Sequence, residues 1–157
     1  MNETPRFPFP GAVDADGHIL EPPNVWERYI DPQYRDRTIR IRTGPDGLEV
    51  LELNGAPARY MRPGQLAMSG AMGKRGKDLE PSPEKTYVNQ APFGSMDPKE
   101  LAHGSRRVGE SAHLSSLGLG WEAEDIDDLE LQTACARAYN RWVVVRSLLK
   151  GQISPDC

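Results

Sequence analysis

The sequence is poor in cysteine and aromatic residues, has no long apolar run and carries no excess of positive charge. Two cysteines, Cys135 and Cys157, cannot build a disulfide framework. No stretch reaches the roughly 18 apolar residues that a membrane-spanning helix needs, so no membrane partner is expected. Residues 1–11, MNETPRFPFPG, lack a basic region followed by an apolar one and do not read as a secretory signal. A cytoplasmic location is therefore the expectation. A formal net charge of -4 with a pI near 5.4 leaves no electrostatic footprint for nucleic acid. Apolar residues make up only 38% of the 157, and mean hydropathy is -0.61. Gly 15 and Pro 14 amount to roughly 18% of the chain, above the average of about 12% for that pair. Much of the chain is expected to be loop, or to pack against something else.

The residues that are present divide the chain into recognisable pieces. Residues 1–11 are Pro-rich and read as an extended arm. Residues 12–18, AVDADGH, read as a short strand. Glu21-Pro22-Pro23 keeps the backbone extended. Val25, Trp26, Tyr29 and Ile30 share one face of a short helix, with Asn24 as its cap and Asp31-Pro32 as its end. Thr38 to Arg42 alternates strictly, Gly44 to Gly47 has turn chemistry, and Leu48 to Leu53 returns, which is a β-hairpin. Asn54-Gly55 signals a second tight turn, and residues 38–62 read as an insertion on a larger scaffold. Residues 62–98 show no periodicity and are expected to be a flexible loop, with Lys74 and Lys77 solvated. Residues 127–150 read as the main helix: Leu131, Cys135, Ala138, Trp142, Val145 and Leu149 recur on one face. Asp127 and Asp128 suit its N-terminus, Arg146 and Lys150 its C-terminus, and Gly151 its stop.

The chemistry concentrates near the start. With period-two alternation, Asp14, Asp16 and His18 face one way and Val13 and Ala15 the other. Three ionisable groups on one strand face are costly to bury unless a cation neutralises them. Carboxylate and imidazole donors suit zinc first, with manganese or magnesium as alternatives. The same D-x-D-x-H residues also suit a solvent-facing turn.

The longer context adds to this. Residues 13–37, VDADGHILEPPNVWERYIDPQYRDR, resemble the opening of the amidohydrolase-related metal-dependent hydrolases, in the branch that includes aminocarboxymuconate-semialdehyde and resorcylate-type decarboxylases. Residues 116–124 and 130–142 look like the loop and helix after that family's second strand, and the hairpin looks like an insertion seen there. The resemblance implies an α/β fold, the N-terminal fragment of a (β/α)8 TIM barrel with a β-hairpin insertion, over residues 12–157. It implies that Asp16 and His18 ligate a divalent metal, with Asp14 behind them and Glu21 either lining the pocket or capping a helix. The metal would polarise a small-molecule substrate or activate water, leading to hydrolysis or decarboxylation. The other ligands and the general base come from later strands, so no catalytic residue is assigned and this chain alone is expected to lack a complete active site.

Two departures accompany the resemblance. Residues 104–114 are polar and do not read as the expected second barrel strand. The tail from Val143 onward drifts from the family pattern, as a frame change or truncated gene would produce. The alternative reading is a catalytically inactive remnant or interaction module, and separately the apolar helix face at 131–149 offers a surface for self-association or for a partner chain that completes the barrel. His103 and His113 have no partner at ligand spacing and read as exposed. Cys135, Trp26, Trp121 and Trp142 read as packing residues. No G-x-S-x-G elbow or Walker loop is present.

Overall fold

The computed structural model describes residues 12–69, 71, 74–92, 94–97, 100, 110–116, 123 and 126–148, with the backbone alone at 12–18, 110–116 and 146–148. The expected N-terminal arm, Trp121, His103 and Cys157 lie outside the described residues. The chain is a mixed α and β protein, compatible with the expected α/β class. Strand β1 (Ala12–Ile19) is followed by helix α1 (Val25–Tyr29) and a 3-10 segment (Pro32–Arg37). A meander of β2 (Arg40–Thr43), β3 (Glu49–Leu53) and β4 (Ala56–Pro57) comes next. Two 3-10 turns (Gln65–Met68 and Gly76–Leu79) and helix α2 (Tyr87–Gln90) lead to β5 (Glu110–Ser116) and the long helix α3 (Leu129–Leu148).

Among the described residues two small sheets result. β1 and β5 pair in parallel, while β2, β3 and β4 form an antiparallel sheet. The parallel pair corrects the reading of residues 104–114: polar composition hides a strand at 110–116. Strand formation here follows from pairing with β1 rather than from an apolar run, because strand preference depends on sheet context.

The hairpin forms as its turn residues predict. Gly44 N–H donates to Leu48 O at 2.8 Å, and Arg40 to Thr43 pair with Glu52 to Glu49. Asn54 and Gly55 both have positive φ, at 52° and 76°, the paired left-handed geometry of a two-residue hairpin turn. That turn brings Ala56–Pro57 back onto β3, which makes three strands of the expected two.

α3 is set by capping and packing. The Asp128 side chain accepts from the N–H groups of Glu130 and Leu131, so the helix starts at Leu129. Leu131, Ala134, Cys135, Ala138 and Trp142 are buried against a core that also holds Val25, Trp26, Ile39, Leu51 and Leu66. Most of the face expected to mediate self-association is therefore covered by the chain's own core. The exception is Val145, which is 41% exposed, as the core ends one turn earlier. Leu149, Lys150 and Gly151 lie outside the described residues. Asn24 occupies the N-cap of α1 but makes no side-chain capping bond, and α1 is held by its packing instead.

The described residues of 62–98, expected to form a loop without regular elements, include single helical turns too short to show a period. Leu66, Ala67 and Tyr87 from this stretch are buried. Lys85 Nζ donates to the carbonyls of Lys77, Asp78 and Glu80 at 2.9, 3.0 and 2.6 Å, which ties the turn at 76–80 to α2. Lys74 Nζ is not simply solvated, since it donates to Gln90 Oε1 at 2.6 Å.

Ion pairs join α3 to the first half of the chain. Asp31 meets Arg141 at 2.7 Å and Arg137 at 3.1 Å, and Asp128 meets Arg37 at 2.7 Å. The hydrogen bond from Arg141, helped by Arg137, holds the Asp31 carboxyl below its ordinary value of 3.8. The Arg37 hydrogen bond, then the Leu131 and Glu130 N–H groups, do the same for Asp128. A lowered folded-state pKa contributes stability above the unfolded value, and that contribution is lost as pH falls through the folded value. The thermal midpoint is thus expected to drop as pH falls below about 4. The Asp31→Asn/Asp128→Asn variant should show a shallower drop in melting curves recorded at low salt. Parallel curves for the two proteins would remove these pairs from the account of acid stability.

Candidate functional site

β1 carries the residues singled out for chemistry. Asp14, Asp16 and His18 all lie on this strand, and their side chains are outside the described residues. The backbone register runs Asp14 to Ala112, then Gly17 to Leu114, His18 to Ser115 and Ile19 to Ser116. The shift between Asp14 and Gly17 is a bulge-type irregularity, with one more residue on β1 than on β5. The shift falls within the stretch over which the expected alternation of Asp14, Asp16 and His18 runs. Asp16 lies within the irregular interval, and His18 lies in the regular stretch beyond it.

The register also shows what spacing along a single strand could not. His113 immediately precedes Leu114, the partner of Gly17, so its backbone stands across from the interval that holds Asp16. Its proximity arises from pairing between strands a hundred residues apart in the chain. The only sequence signal was the histidine itself. Among the described residues there is no group of three His, Cys, Asp or Glu able to hold a metal. The candidate donors on β1 and β5 lie outside that set.

The exit of β1 is described in full. Ile19 and Leu20 enter the core, and Glu21 is completely buried. Glu21 does not occupy the N-cap of α1, since that position belongs to Asn24. The two prolines after Glu21 have no N–H to offer, so its carbonyl needs a donor from elsewhere in the chain. Tyr87 supplies it, with the phenol O–H donating to Glu21 O at 3.0 Å in a buried environment. Leaving such a carbonyl unpaired costs about 1–3 kcal/mol. The N–H of Leu20 donates in turn to Ser95 O at 2.8 Å. Residues 87–95 therefore meet both backbone groups at the strand exit.

Tyr87 is itself held in place. Its N–H donates to the Glu49 carboxylate of β3, and α2 starts with a reciprocal pair of bonds between Thr86 and Asn89. Burial, reinforced by the negative charge of Glu21, pushes the Tyr87 phenol far above its ordinary value of 10.0. It stays protonated and remains a donor. Beside this junction is an open cavity of about 330 Å³, with Val88, Ala91, Pro92 and Met96 as apolar walls and Asp97 and Glu100 among its lining.

Cys135 is a core residue, as the sequence suggests. Its thiol lies 3.9 Å from Thr38 Oγ1, and burial pushes its pKa up, away from nucleophilic use. Trp26 and Trp142 are packing residues on either side of Tyr139, with ring centroids 6.0 and 5.5 Å from it. No helix among the described residues is long and apolar enough to cross a membrane. No family model matches the chain, and no curated protein is significantly similar to it.

Proposed function

We propose that this chain is the N-terminal part of an amidohydrolase-related metal-dependent hydrolase or decarboxylase, with Asp16 and His18 as metal ligands. The parallel pairing of β1 with β5 carries the reading. A parallel pair requires a crossover connection, and its strands belong to sheets covered on both faces. Here the crossover contains α1 and the β2–β4 meander, and a long helix follows β5. That order is consistent with the first two β/α units of a barrel carrying an insertion in its first connection.

The donor set fits the metal. A carboxylate with imidazole suits zinc, and also manganese. The backbone of His113 stands on the neighbouring strand, across from the interval that holds Asp16. The bound ion would polarise a small-molecule substrate or activate water. Asp16 and His18 would hold it at the C-terminal half of β1, the end at which barrel enzymes build their sites.

Metal analysis of the purified chain tests the reading. Wild type should retain zinc or manganese after desalting, and the Asp16→Ala/His18→Ala variant should lose it. Equal metal content in the two proteins would leave the chain as a module without a metal centre.

A further inference from the structure

We propose that Tyr87 is a positioning residue for the metal ligands on β1, acting through the backbone at the strand exit. This inference rests on the metal-centre reading above. Sheet pairing fixes β1 only as far as Ile19, whose partner is Ser116. Among the described residues the pairing with β5 ends there, and Pro22 and Pro23 provide no local donor. The Glu21 carbonyl, three residues after His18, is instead held by the Tyr87 phenol at 3.0 Å. The adjacent Leu20 N–H is held by Ser95 O at 2.8 Å. The strand end that carries His18 is thus held on one side by its pairing with β5 at Ser115 and Ser116 and on the other by the Tyr87 bond three residues later.

Tyr87 can hold this position because it is rigid. Its ring is fully buried in the core. Its N–H is bound by the Glu49 carboxylate, which links the β2–β4 meander to the β1 exit through one side chain. The meander therefore has a role at the candidate site although it contributes no ligand. Metal ligands must be held to within about 0.5 Å of productive geometry, and the groups that support them share in setting affinity.

The test is titration of the full chain with Co2+, followed by its visible absorption bands, which report ligand geometry. Tyr87→Phe removes the O–H and keeps the ring. It is expected to weaken Co2+ binding about tenfold and to shift the bands. Ala138→Gly, a destabilising change in α3, controls for loss of stability and should leave the bands unchanged. Should Tyr87→Phe fail to fold, Glu49→Ala decides, because it frees the Tyr87 N–H and should shift the bands in the same direction. A Tyr87→Phe protein, or in its place a Glu49→Ala protein, with wild-type affinity and bands overturns the positioning role while the metal centre stands. A wild-type chain whose Co2+ bands do not depend on Asp16 and His18 overturns the metal reading, and the positioning role with it.

Discussion

Replacing Trp26 with alanine is expected to remove about 3–5 kcal/mol of stability, a large part of the total of about 5–15 kcal/mol that holds a domain folded. Trp26 is among the largest fully buried side chains, and it stacks on Tyr139 at an interplanar angle of 24°. It is the main apolar bridge from the short helix α1 to α3. A helix of five residues cannot persist by backbone bonding alone, so its place depends on that contact. Trp26→Phe should be much milder. The indole N–H has no acceptor among the described residues, so phenylalanine gives up ring area without breaking a hydrogen bond. Urea unfolding followed by circular dichroism gives both values. If the alanine and phenylalanine variants unfold at the same midpoint, ring burial is not what anchors α1.

The second large effect is expected at Gly64. Its φ is +76°, and a Cβ there would lie 2.6 Å from Pro81 Cβ, well inside contact distance. Gly64→Ala combines left-handed strain of roughly 1–2 kcal/mol with overpacking of roughly 1–3 kcal/mol. A total loss of about 2–5 kcal/mol follows from those two terms. Gly55→Ala separates them, because Gly55 has the same φ but nothing within 4 Å of its Cβ position. It should lose only the strain. Adding Pro81→Gly to Gly64→Ala should restore the overpacking part. Equal losses at Gly55 and Gly64 would mean that the segment around Pro81 does not pack on the turn after β4.

Local elements were legible wherever a short stretch of chain contains its own cause. The Gly44–Gly47 turn, the Asn54-Gly55 turn and the apolar face of α3 follow from backbone geometry and period. Residues 62–98 were not legible, since a single helical turn is too short to show a period. What holds it is contact with distant residues, such as the Tyr87 N–H on Glu49 and the Pro81 ring against Gly64. β5 was misread for a related reason. The segment ESAHLSS has little strand preference of its own, and its conformation comes from pairing with β1 across roughly a hundred residues of chain.

For the candidate site, the sequence by itself determined the chemistry on offer: two carboxylates and an imidazole within five residues of one strand. It also determined where the meander turns, and it placed the start of the long helix at 127 against the observed Leu129. Only the tertiary structure decided that the strand has a parallel partner, that its register shifts between Asp14 and Gly17, and that Tyr87 completes the bonding at its exit. The physical reason is range. Turns, caps and helical faces are set by neighbours within a few residues. Register, bulges and the pairing of a buried carbonyl depend on groups that meet only when the chain has folded.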